Sequence, residues 1–473
     1  MNAAPVARGD YVLYWMIAAR RTAHSFALDH AIARAVELGV PLLVFEPLRI
    51  GYQYASDRMH AFVLQGMADQ RKAFEAAGIT YLPYVEPTAG AARGLLAALA
   101  ARASVVVTDE QPGFFLPRMV AAAGAALPVR VEQVDGNGML PLRAAERAYP
   151  SAVTFRRHLQ KTLPPHLLVL PSATPLARLP ATVKNAKPPG PVLRKWPMAT
   201  QAYLESEDLS ALPIDHAIAP VPYRGGSRAG AAVLRDFIGT KLARYSERSH
   251  PDADVASGLS PYLHFGHVGA HAVYAAVMAD AKWDPSRLAP KATGSRNGWW
   301  GLPADHEAFI DEIVTWRELG YGFCHHVADY SSYESLPEWA RKTMDAHASD
   351  PRPERYTREQ LETGTTGDPL WNAAQRQLLV EGRIQNYMRM LWGKKILEWT
   401  ASPQDALATL VELNNKYAVD GRNPNSWSGI TWTLGRFDRP WGPVRPIFGT
   451  IRYMSSASTR RKLDLSTWLA RWS

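Results

Sequence analysis

Over its first 140 residues the chain alternates short apolar runs with amphipathic helical stretches, and this alternation restricts the fold more than any other feature. "DYVLYWMI" reads as a strand, "SFALDHAIARAVELG" as a helix and "VPLLVFEPL" as a second strand. The stretch "SDRMHAFVLQGMADQRKAFEAAG" reads as a helix that opens on Ser56 or Asp57 and closes on Gly78. Then come "ITYLPYVE", an alanine-rich helix over about 90–102, "ASVVVTDE", another helix and "VRVEQVD". Five strands separated by helices predict a parallel, doubly wound sheet, because parallel neighbours need a long crossover. The phosphate fingerprint G-x-G-x-x-G is missing after the first strand, where "AARRTAHS" stands, and this argues against NAD there.

From about 137 to 227 the periodicity fades into proline-rich stretches such as "LPPHLLVLPSATPLARLP" and "KNAKPPGPVLRKWP". After about 228 the pattern is helical throughout. The expected organisation is an α/β domain over 1–140, an interdomain linker over 141–227 and an all-helical domain over 228–473. No apolar run approaches the roughly 20 residues of a membrane span, and "MNAAPVARGD" lacks the apolar core of a signal peptide. The single cysteine, Cys324, excludes an internal disulfide framework and a cysteine-rich metal site. A cytoplasmic location is the expectation. The net charge of +9 suits a polyanionic partner, although Lys and Arg are scattered rather than blocked.

Five stretches of the helical half carry candidate chemistry. In "YMRMLWGKKILEW" (387–399), Met388, Leu391, Trp392, Ile396 and Trp399 fall on one apolar stripe, and Arg389 stands at its edge, where a permanent charge needs an anionic partner. Lys394 and Lys395 are expected to face solvent or phosphate. "SGLSPYLHFG" (257–266) offers hydroxyls and backbone N–H groups at a helix start. "TWRELGYGF" (315–323) sets Trp316 and Glu318 on an otherwise apolar helix, and "DPLWNAAQ" (368–375) offers Trp371. "LNNKYAVDGRNPNSWSGITW" (413–432) reads as a polar loop ending in aromatics. His325 and His326 are neighbours on a helix and point apart, so a metal site is not expected.

In this order, these stretches resemble the flavin-binding domain of the photolyase/cryptochrome family. "RMLWGKKILEWT", "LNNKYAVDGRNPN", "FGTIRYM" and "DPLWNAAQ" are most similar to class II cyclobutane pyrimidine dimer photolyases, and the similarity runs from about residue 10 to 463. The resemblance implies FAD in the helical domain and an antenna chromophore, deazaflavin or folate, in the N-terminal domain. It implies a monomer acting on UV-damaged DNA, with light driving an electron from reduced FAD to a flipped-out dimer. By the same resemblance, Tyr245, Ser257, Leu259 and Ser260 would wrap the flavin's phosphates and ribityl chain. Arg389 and Asp420 would pair beside its ring, and Asn414 would face N5. Glu318 would hydrogen-bond the dimer carbonyls as negative charge develops on them. Met390, Trp432 and Trp441 would line the dimer pocket, and Arg452 would reach the duplex. Trp392, Trp371 and Trp399 would carry electrons from the surface, with Trp392 nearest FAD and Tyr356 as a further donor.

The chain also departs from the class II pattern. Gln385 and Asn386 precede Tyr387 where His-Gly is usual, and Tyr321-Gly322-Phe323 stands where Asp-Asn-Phe is usual. Ser249 and His250 replace an Asn-Asp pair, Ser455 replaces Asn, and "SFAL" replaces Asn-Trp-Ala-Leu. These changes leave a blue-light receptor without lyase activity as the competing expectation. A DNA-binding module without redox chemistry is a third, and a colourless protein that takes up no flavin would mark it.

Overall fold

The computed structural model describes residues 2–473. Among them, five strands form one parallel sheet: β1 (Tyr11–Trp15), β2 (Leu42–Leu48), β3 (Thr80–Val85), β4 (Ala103–Asp109) and β5 (Val131–Val134). Their spatial order is β3-β2-β1-β4-β5, the doubly wound arrangement that the alternation predicts. β1 and β4 are buried along their whole length, as a central strand covered on both faces must be. The crossovers are α1 (Phe26–Leu38), α2 (Asp57–Ala76), α3 (Leu95–Ala100) and α4 (Leu116–Ala126). Ser25, the first residue of "SFAL", caps α1 by accepting from the Leu28 N–H at 3.3 Å. At the carboxyl end of β4, Asp109 accepts from the Ile17, Ala18 and Ala19 N–H groups and from the Tyr14 hydroxyl, which fixes the turn after β1.

The chain divides into two compact units. The first comprises Met1–Leu142, Pro165–Arg235 and Leu259–Ala276; the second comprises Arg143–Pro164, Asp236–Gly258 and Val277–Ser473. The stretch expected as a connector is thus shared between them. Its first part forms a helix, Ala152–Thr162, capped by Ser151, whose hydroxyl accepts from the Thr154 N–H. That helix sends Arg156 to Asp311 in a buried, two-pronged pair of 2.7 and 2.9 Å. Removing one partner of such a pair leaves a buried charge uncompensated. Arg156→Ala is therefore expected to lower stability by about 3–5 kcal/mol, read by chemical denaturation.

The second unit is helical. Ala304–Ile310 runs into a π-helical turn, Asp311–Trp316, and then into Arg317–His326. Further on are Pro369–Glu381, Asn386–Trp399, Pro403–Tyr417 and Pro424–Thr433. The last of these corrects the sequence reading, which made this stretch a loop. Asn423 accepts from the Asn425 N–H and Pro424 occupies the first helical position, an ordinary helix start. Among the described residues, no helix is long and apolar enough to cross a membrane.

Candidate active site

The helix Asn386–Trp399 organises the site. Gln385 caps it: its side chain accepts from the Met388 N–H at 3.0 Å and donates to the Arg248 carbonyl at 2.6 Å. The departure at this position therefore has a local structural role. Ser455 likewise caps its own helix, accepting from the Ser458 N–H. Met388, Leu391, Trp392, Ile396 and Trp399 are all buried, so the apolar stripe packs inward. Arg389 is half-buried, its Nη1 3.9 Å from Oδ2 of Asp420. A Cβ at Gly429 would stand 2.7 Å from Nη2 of Arg389, so the glycine is what lets the guanidinium lie against Pro424–Thr433. Oδ1 of Asp420 is buried and has no hydrogen-bond partner within the protein. Asn414 is buried beside this pair; a Cβ on Gly421, next to Asp420, would meet the Asn414 carbonyl at 2.8 Å. Its Nδ2 donates to Oδ1 of Asn415, which also accepts from the Arg422 N–H.

Three indoles pack against one another along the helix Asn386–Trp399. The rings of Trp392 and Trp371 are 6.4 Å apart and nearly parallel, and those of Trp371 and Trp399 are 5.4 Å apart at 72°. Tyr356 lies 4.9 Å from Trp399. Trp392 is three positions from Arg389, one turn along the same face. The Trp371 Nε1 donates to the Trp392 carbonyl at 3.0 Å, and the Trp392 Nε1 donates to Oε1 of Gln375 at 2.8 Å. Gln375 was missed in the sequence. Its signal was an amide one turn after Trp371, on the same face of the helix. It is fully buried, so Gln375→Leu strands the Trp392 N–H. A loss of about 1–3 kcal/mol is expected, measured by thermal or denaturant unfolding.

A second group collects near the C-terminus. The Arg452 guanidinium lies 5.8 Å from the Trp432 ring and 4.9 Å from the Trp441 ring. Trp441 donates through Nε1 to Oδ1 of Asp438 at 3.0 Å, and Arg439 stands 4.8 Å over its ring. Asp438 and Arg439 were not singled out in the sequence. Met390 is half-buried at the edge of the helical core. Glu318 is 5% exposed and stands two residues after the π-helical turn. Its helix packs on Pro424–Thr433 through Gly320, where a Cβ would meet Asn425, Ser428 and Pro424. One turn beyond Glu318, a Cβ at Gly322 would meet nothing within 4 Å.

The remaining candidates are more dispersed. Tyr245 is buried edge-on against Phe309 at 5.0 Å, with the Arg248 guanidinium 4.9 Å over its ring. Ser257 belongs to the second unit, whereas Leu259 and Ser260 open a segment of the first. Leu259 is buried and Ser260 is exposed. Lys394 corrects the expectation that both lysines face solvent or phosphate. It is 0% exposed, and its Nζ donates to the Thr433 carbonyl at 2.6 Å. Lys395 pairs with Glu398 at 2.9 Å.

Comparison with known proteins places the whole chain. The DNA photolyase family profile matches residues 12–179. A deoxyribodipyrimidine photo-lyase of Methanothermobacter thermautotrophicus is 32% identical over 469 residues, covering 99% of this chain and 95% of that protein. The chain belongs to the photolyase/cryptochrome family. Another photolyase relative, the deoxyribodipyrimidine photo-lyase of Oryza sativa subsp. japonica, is 36% identical over 98% of this chain and 87% of its own length. Among solved structures, a Synechocystis cryptochrome superposes with a TM-score of 0.70 over 100% of this chain and 89% of its own. At 16% identity, that likeness speaks for the photolyase/cryptochrome fold alone.

Proposed function

We propose that the chain is a flavin-dependent lyase of class II type that uses light to split cyclobutane pyrimidine dimers in DNA. The observation that carries this reading is the line of indoles Trp399, Trp371 and Trp392, which arrives one helical turn from the Arg389–Asp420 pair. A buried carboxylate oxygen with no protein partner, beside a guanidinium held at 3.9 Å, suits a polar ring that supplies the missing hydrogen bonds. FAD fits that description, and when bound it supplies light absorption and one-electron chemistry. Arg389 offsets negative charge on such a ring, and Asp420 keeps the guanidinium oriented. Asn414 presents an amide to the same place. Tyr245, Ser257, Leu259 and Ser260 are assigned to the rest of the cofactor.

Trp399, Trp371 and Trp392 pass an electron inward, with the half-buried Tyr356 against Trp399 as the outer donor, since indole combines easy oxidation with tolerance of burial. Trp432 and Trp441 offer flat apolar surfaces for extruded bases, and Arg452 offers charge to the backbone. Glu318 offers a buried carboxyl to the dimer carbonyls, and the empty space at Gly322 leaves room beside it. Met390 contributes apolar surface to the same pocket.

In the first unit, the Trp15 Nε1 and the Gln111 Oε1 are buried without partners at the carboxyl ends of β1 and β4. Strand order reverses between these two strands, which is where open α/β sheets hold ligands. This supports an antenna chromophore, a deazaflavin or folate, in that unit. We assign the protein to the cytoplasm as a monomer.

The test is equilibrium binding of flavin-loaded protein, in the dark, to one oligonucleotide with and without a thymine dimer. A lesion preference of roughly a thousandfold is expected, the low end of the range by which specific sites exceed non-specific ones. Equal affinities, together with light-dependent capture of a protein partner, would favour the receptor reading.

A further inference from the structure

Lys394 is the one fully exposed-type residue that the helix Asn386–Trp399 buries completely. Its ammonium donates to the Thr433 carbonyl at 2.6 Å and lies 4.9 Å from the centre of the Trp432 ring. Among the described residues, no carboxylate is within ion-pairing distance of it. The charged groups that act on it are Asp438, which favours its proton, and Arg452, which opposes it. An ammonium buried with one neutral acceptor and one ring is costly, and a methionine would fill the same space without that cost. The neighbouring position is equally committed: a Cβ on Gly393 would strike the Thr433 side chain at 2.5 Å, so the helix backbone lies close against Thr433 here. Lys394 and Asp438 therefore act on adjacent members of one aromatic group. The lysine sits on Trp432, Asp438 holds the indole N–H of Trp441, and Arg452 spans both rings.

We propose that Lys394 is a positioning residue for lesion recognition: anchored on the Thr433 carbonyl, its cation fixes the orientation of the Trp432 indole on which the extruded dimer stacks. This rests on the reading of Trp432, Trp441 and Arg452 as the lesion pocket. The hold is switchable, because burial lowers the lysine to about pKa 7 from an ordinary 10.5. Below about pH 7 the cation is present and attracts the ring; above it the amine is neutral and the attraction is lost. Stability moves the opposite way. Between about 7 and 10.5 the unfolded chain binds the proton more readily, so the fold gains stability as pH rises through that window.

The test uses the flavin-loaded full chain labelled with 5-fluorotryptophan. The Trp432 resonance is assigned among the 15 tryptophans by its loss in Trp432→Phe. In the wild type this resonance is expected to shift with a midpoint near pH 7, and in Lys394→Met and Lys394→Gln to stay still. The preference for dimer-bearing over undamaged oligonucleotide is expected to fall roughly tenfold from pH 6 to 8.5 in the wild type, and to be low and flat in both variants. Using the ratio removes phosphate electrostatics common to both DNAs. Lys394→Met is also expected to melt no lower than wild type at pH 6. A Trp432 resonance indifferent to pH, or a variant with the wild-type preference at every pH, overturns the proposal. Absence of any preference in the wild type, with the resonance still titrating at pH 7, supports the hold on the indole and removes the lesion reading instead.

Discussion

Flavin-loaded Trp392→Phe protein, illuminated with an external reductant, stays yellow. Trp392 is the indole closest in sequence to Arg389, and Trp371 is the ring that joins it to Trp399. Phenylalanine keeps most of the packing but is far harder to oxidise, so the path loses its inner member. The photoreduction rate is expected to drop at least tenfold, equivalent to about 1.4 kcal/mol of barrier. Chemical reduction should restore repair, because the lesion pocket is untouched. Trp371→Phe should give the same split between photoreduction and repair. Absorbance spectra under illumination check both. A Trp392→Phe protein that photoreduces at the wild-type rate would move the path elsewhere.

Glu318→Ala has the opposite profile. Photoreduction proceeds normally, and repair by the reduced protein falls about a hundredfold, the usual loss when one preorganised donor to a developing negative charge is removed. The carboxyl is buried on a helix that reaches it through a π-helical turn, a local irregularity that proteins keep where a side chain must be aimed. The readout is repair per absorbed photon, with dark affinity for dimer-bearing DNA measured beside it. An unchanged yield with weakened dark binding would make Glu318 a binding group only. Together the two variants separate electron supply from bond cleavage, and no single structural defect produces both patterns.

Much of the architecture was legible in the sequence for a simple physical reason. Buried parallel strands are short apolar runs, such as "ASVVVTD", and their crossover helices carry caps that local chemistry announces, as Ser25 does for α1. Local signals were also present where the reading went wrong. Ser151 before Ala152–Thr162 and Asn423-Pro424 before Pro424–Thr433 are ordinary helix starts, overlooked amid proline and asparagine that suggested loops.

Other features were not readable locally at all. Lys394 looked solvent-facing because charge normally marks an exposed face, yet Asn386–Trp399 is packed nearly all round and its buried lysine is satisfied by Thr433, 39 residues away. Gln375 acquires its role only when Trp392, 17 residues on, folds back to it. The same holds for Trp371, which comes to lie between Trp392 and Trp399 although it precedes both by about 20 residues or more. Spacing along one helix could put Trp392 and Trp399 on a common stripe. Only the packing of Pro369–Glu381 against that helix inserts the third ring.

The most direct measurement of the central claim is made on purified protein with its flavin fully reduced, mixed without oxygen with an oligonucleotide carrying a single thymine dimer. Blue light is admitted, and absorbance in the thymine band is followed. The account predicts recovery of intact thymine, in many turnovers per protein and only in the light. A reduced, flavin-containing protein that binds this DNA and restores no thymine under illumination would contradict it.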